Sequence, residues 1–134
     1  MPVKDTFEYL AQFPRFSLIE KVSPKFFPTS LEASVAVANV VKEEILRKNA
    51  KGETCVLGLA TGSTPLRVYK ELIRMHKEEG LSFKNVVTFN LDEYYPILKT
   101  DPESYNYYMD FNLFNHIDIP RENINIPNGE LKRG

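Results

Sequence analysis

With 134 residues, 43% hydrophobic and 26% charged, the chain has the composition of one globular domain. A net charge of −1 argues against nucleic acid or an anionic membrane surface as partner. No apolar run approaches the ~18 residues of a membrane span, and no signal-like stretch opens the chain, so no membrane partner and a cytoplasmic address are expected.

Residues 1–24 say least. Residues 6–13 suit one short helix before Pro14, and residues 16–22 a short extended piece. Together they read as an N-terminal arm ahead of a domain over residues 25–134. Phe26-Phe27-Pro28 is compatible with a brief strand. Thr29-Ser-Leu-Glu32 then has the form of a capping box, with Thr29 as N-cap and Glu32 reaching back. The helix predicted from it, Ser30 to Lys48, sets Leu31, Val35, Ala38, Val41 and Ile45 on one face.

Cys55-Val-Leu-Gly-Leu-Ala60 is short, apolar and uncharged, as expected of a strand covered on both faces of a parallel sheet. Cys55, the single cysteine, has no internal partner for a disulfide and reads as a core residue. The run breaks at Thr61-Gly62-Ser63-Thr64, and Pro65 opens the next helix, with Thr64 as its expected N-cap. Such a turn aims backbone N–H groups and the positive end of a helix dipole at one point, which suits a phosphate. A plain strand-to-helix turn that needs small residues for steric reasons explains the same residues equally well. On the phosphate reading, a branched side chain at Gly62 is expected to crowd the turn.

That helix is predicted to run to about Glu79, with Leu66, Tyr69, Leu72, Ile73 and His76 at helical spacing and Gly80 as its stop. His76, far from the turn, reads as a packing residue. Asn85-Val-Val-Thr-Phe-Asn-Leu91 is a second strand, followed by the acidic, aromatic loop Asp92-Glu-Tyr-Tyr-Pro96. Asp101-Pro102 repeats the cap-and-proline device and predicts a helix from Pro102 to Asn115. Asn123-Ile-Asn-Ile126 is a last short strand. Strands alternating with helices imply an α/β fold, a Rossmann-like open and mainly parallel sheet with flanking helices. With no helix predicted after Ile126, sheet faces or edges are expected to stay bare.

In such a sheet, ligands bind at the carboxyl ends of the strands. Thr61-Gly62-Ser63-Thr64 and Asp92-Glu93 occupy two such ends. If the strands are neighbours, an anion cradle faces a carboxylate that, partly buried, can move a proton between adjacent carbons. An exposed acidic turn or helix cap is the other reading of Asp92-Glu93.

Leu57-Gly-Leu-Ala-Thr-Gly-Ser-Thr-Pro65, Val87-Thr-Phe-Asn-Leu-Asp-Glu-Tyr94, Pro102-Glu-Ser-Tyr105, and His116-Ile-Asp-Ile-Pro120 with Glu122-Asn-Ile-Asn125 stand in one order along the chain. In these four motifs, collinear from about Phe27 to Gly129, the chain resembles the glucosamine-6-phosphate deaminases. The resemblance implies an aldose–ketose isomerisation with loss of ammonia, from glucosamine 6-phosphate to fructose 6-phosphate, and no metal or organic cofactor. It assigns Asp92 as general base, Glu93 as a further acidic catalytic position, and Thr61, Gly62, Ser63 and Thr64 as the loop on the substrate's phosphate. Ala60 departs from the proline common there. The family's second half carries an Asp, His and Glu that assist ring opening, and basic residues at the phosphate. By that measure the chain is expected to be the N-terminal part of such an enzyme and inactive alone. A sugar-phosphate-binding module without turnover and a related isomerase or 6-phosphogluconolactonase are the alternatives. A homo-oligomer is a further expectation from the family, with the aromatics of the third predicted helix as one surface for it.

Overall fold

The computed structural model describes residues 24–130. Pro24 apart, the arm expected over residues 1–24 lies outside them, as do residues 131–134. The described residues follow the order α1 (Ser30–Ala50), β1 (Cys55–Leu59), α2 (Leu66–Glu79), β2 (Val86–Asn90), α3 (Tyr105–Asn112) and β3 (Ile124–Asn125). Two 3₁₀ turns, Phe114–His116 and Arg121–Asn123, lie between α3 and β3. The three strands form one parallel sheet in the order β1-β2-β3, with Cys55 opposite Val86, Leu59 opposite Asn90, and Thr88 opposite Ile124. The expected α/β architecture is present.

The helices bury one stripe each. Ala38 and Ile45 of α1, Tyr69, Leu72 and Met75 of α2, and Met109 of α3 join Cys55, Phe83 and Val86 in one apolar cluster. Cys55 is a buried free thiol, and burial pushes its pKa up. Leu31, expected on the buried face of α1, is instead 55% exposed. Thr29 caps α1 as predicted, its hydroxyl accepting from Glu32 N at 3.2 Å, but Glu32 makes no return bond, so half of the capping box is built. Gly80 ends α2 in a left-handed conformation. There His76 packs its ring edge against Phe83 and sets Nδ1 2.6 Å from Leu81 O.

Three expectations need correction. Phe26-Phe27-Pro28 is not a strand; Pro28 has no N–H for a ladder and Thr29 is already committed to the α1 cap. The strand over Cys55–Leu59 is not covered on both faces. Every second residue turns to a side that no described helix covers, leaving Val56 61% and Phe89 50% exposed. Asp101 does not cap α3. Its carboxylate accepts from Glu103 N at 2.9 Å, closing a local turn, and the helix starts three residues later at the cap Ser104.

Ser104 is fully buried; its hydroxyl accepts from Asn106 N at 3.1 Å and donates to Glu93 Oε2 at 2.7 Å. Ser104→Ala removes the cap and one donor to Glu93, so a loss of about 2 kcal/mol is expected, read as a lower urea midpoint at unchanged slope.

Behind the loop that follows β2, Gly129 closes the structure. Its carbonyl accepts from Ile97 N at 3.0 Å, and a Cβ added to it would fall 2.5 Å from Ile97 Cγ2. Asn106 reinforces this closure by donating to Pro127 O at 3.2 Å.

Candidate functional site

Parallel pairing of β1 and β2 brings the two expected loops to the same end of the sheet. Leu59 stands opposite Asn90, and Thr61 and Asp92 lie two residues beyond that pair, just past the ends of β1 and β2. The Asn90 amide ties the strands there by donating to Leu59 O at 3.0 Å. Between the two strand ends opens a cleft of about 740 Å³, lined by residues 58–61 and 89–92. Asp92 is the one ionisable residue of that lining. It is exposed to solvent, so the partial burial expected of a proton-transfer carboxylate is not met among the described residues.

The four residues of the small-residue turn do not share one wall. Thr61 lines the cleft with Asp92. Ser63 and Thr64 line a second hollow, of about 410 Å³, with Arg67 and the first turns of α1. Gly62 sits at the bend between them with φ +93, the left-handed region where a side chain is strained. Its added Cβ would meet nothing within 4 Å, so backbone conformation, and not the crowding expected from the sequence, keeps glycine there.

Thr64 does not cap α2. The cap position is Pro65, already in helical conformation, and no side chain bonds to the first turn. The N–H groups opening α2 are therefore free for an anion. No acidic residue lies in that first turn to neutralise the dipole, and Arg67 adds a positive charge to it.

Two phenols hold the turn from the side of the core. Tyr69 of α2 donates its hydroxyl to Ala60 O, and Tyr108 of α3 donates to Gly62 O at 2.5 Å. Burial pushes both hydroxyls above the ordinary phenol range, so both remain donors at neutral pH. Neither role is readable from local sequence, because each joins positions brought together only by the fold. Asn90 was missed for the same reason; its Oδ1 is buried at the cleft without a partner.

Glu93 is placed quite differently from Asp92. Its Oε1 accepts from Tyr94 N and Tyr105 N, each at 2.9 Å. Its Oε2 accepts from Ser104 Oγ at 2.7 Å, Asn106 N at 2.9 Å and Asn106 Nδ2 at 2.8 Å. Burial pushes this carboxyl up, but the Tyr105 and Asn106 N–H donors, with the Ser104 and Asn106 side chains, outweigh it and hold the pKa at about 2. Against an ordinary value of 4.5, the stability Glu93 contributes is complete above pH 4.5 and drains away as the pH falls toward about 2. Glu93→Gln should therefore cost about 2 kcal/mol at pH 7, allowing for partial exposure, and in urea titrations the gap to wild type should start to narrow below pH 4.5 and be nearly closed at about pH 2.

Among the described residues no group of three or more His, Cys, Asp or Glu side chains is placed to hold a metal ion, and no helix is long and apolar enough to cross a membrane.

No family model matches the chain. It is 64% identical over 77 residues to the glucosamine-6-phosphate deaminase of Fusobacterium nucleatum, covering 58% of this chain and 28% of that one. With the glucosamine-6-phosphate deaminase of a Thermoanaerobacter species it shares 52% identity over 98 residues, covering 73% and 37% of the two chains. Among solved structures, a monomeric glucosamine-6-phosphate deaminase superposes with a TM-score of 0.73 at 43% identity, over 78% of this chain and 42% of that one. The chain spans about a third of the length of these curated relatives. In sequence and in backbone course, it is similar to part of the glucosamine-6-phosphate deaminases.

Proposed function

We propose that the chain carries the phosphate turn and the proton-transfer base of a glucosamine-6-phosphate deaminase. The observation that carries this reading is the shared cleft: Thr61 at the mouth of the small-residue turn and Asp92 on the neighbouring strand end face the same space. The Gly62–Thr64 turn and the open N-terminus of α2 receive the phosphate. Asp92 takes the proton from C2 of the open-chain sugar and returns it at C1, which turns the 2-amino aldehyde into a 2-imine. Water then replaces the imine nitrogen, giving fructose 6-phosphate and ammonia. The step needs no redox change. Glu93, with both oxygens filled by donors, serves to place its neighbour. A small, highly charged sugar phosphate is an intracellular metabolite, which supports a cytoplasmic address.

The described cleft offers Asp92 alone as an acid or base, so this chain is expected to open the sugar ring slowly and to show binding more readily than turnover. The test is titration with glucosamine 6-phosphate in D₂O, following exchange at C2 and release of ammonia and fructose 6-phosphate. Exchange or release supports the reading. A chain that binds no glucosamine 6-phosphate at millimolar concentration overturns it.

A further inference from the structure

We propose that α3 is a strut that sets the spacing between the base and the phosphate turn, with Glu93 and Tyr108 as its two attachment points. The inference rests on the assignment of Asp92 and the Gly62 turn given above. Glu93 follows Asp92 directly and is bound by the first turn of α3 through Ser104, Tyr105 and Asn106. Tyr108 of that helix reaches the other loop, donating to Gly62 O at 2.5 Å. The two attachments are separated by about one helical turn, roughly 5 Å along the axis. The strut is held from behind: Ser104 and Met109 are fully buried, and Leu113 just beyond the helix is 2% exposed. A displacement of α3 therefore carries both loops with it.

Neither Glu93 nor Tyr108 lines the cleft, so both are positioning residues. What they would position is the interval between the phosphate and the carbon losing its proton, fixed in a hexose 6-phosphate by four carbon–carbon bonds and the C6–O–P ester linkage. An error of about 1 Å in that interval costs on the order of 100-fold in rate. On this account the spacing selects sugar phosphates by chain length. The selection is built into a helix that need not touch the sugar.

The discriminating feature is cross-talk. Glu93→Gln alters no residue of the phosphate turn itself, yet it is expected to weaken inorganic phosphate binding about 3- to 10-fold. Tyr108→Phe leaves Asp92 and Glu93 intact, yet it should lower kcat for glucosamine 6-phosphate about 3- to 10-fold in addition to raising KM. The double variant should lose less than the product of the two, because either change alone frees the strut. Phosphate affinity is measured by calorimetry on the intact protein well below its unfolding temperature, so partial unfolding does not imitate the effect. Glu93→Gln with unchanged phosphate affinity overturns the strut. Where turnover is too slow to follow, that arm decides alone; where Glu93→Gln does not fold, the kcat of Tyr108→Phe decides. Failure of the wild-type chain to bind phosphate would instead remove the underlying site assignment.

Discussion

Replacing Asp92 with asparagine is expected to slow C2 exchange and ammonia release about 10²- to 10⁴-fold, the range that a positioned base supplies. Asparagine matches aspartate in size and cannot take up a proton at neutral pH. Asp92 is exposed and holds no other described group, in contrast to Glu93 beside it. The substitution should therefore leave the urea midpoint unchanged and the affinity for glucosamine 6-phosphate within about threefold, since the proposed phosphate site lies elsewhere. A rate that survives the change would show that the proton is moved by another group, and Asp92 would lose its role. A rate and an affinity that fall together would mean that Asp92 binds the sugar without acting on it.

The second large effect is expected at Gly62. At φ +93 a valine pays on the order of 1–3 kcal/mol in backbone strain, and the turn relieves it by rotating its peptides. Rotation breaks the bond from Tyr108 to Gly62 O and turns the N–H groups away from the proposed phosphate position. Phosphate affinity should fall about tenfold or more, the equivalent of 1.4 kcal/mol. Because a Cβ meets nothing within 4 Å, Gly62→Ala should show most of the loss, whereas a steric block would spare alanine. Calorimetric titration of the pair with inorganic phosphate separates the two causes. Equal binding by wild type and both variants would leave the turn as a simple strand-to-helix connection.

The fold was legible where the signal is local. α1 and α2 show their periodicity, Thr29 and Gly80 mark ends, and β1 and β2 stand out as apolar runs between polar turns. The start of α3 was not, although Asp101-Pro102 is the better cap by local chemistry. Ser104 prevails because Glu93, eleven residues earlier, supplies a carboxylate that no local rule contains. Bare sheet surface was expected from the lack of a helix after Ile126, but which face would be bare was hidden, since an apolar run reads the same whether one face is packed or both. At the site, sequence and family resemblance placed Thr61 and Asp92 at facing strand ends, and the structure gives them one cleft. It divides the small-residue turn that adjacency had grouped. Ser63 and Thr64 face another hollow, and Glu93 is spent on a helix while Asp92 stands free. The phenols of Tyr69 and Tyr108 had been visible only as apolar bulk.

The closure by Gly129 has a consequence in time. Ile97 and Asn106 bond to the carbonyls of Gly129 and Pro127, so the segment carrying Asp92 is locked by residues made some thirty positions later. At a synthesis rate of about 5–20 residues per second, that is an interval of roughly 2–6 s. During it the small-residue turn, both long strands and the attachment of Glu93 to α3 can already form, while Ile97 still lacks its partner. On the ribosome, the stretch around Ile97 is thus the last part of the loop after β2 to be fixed.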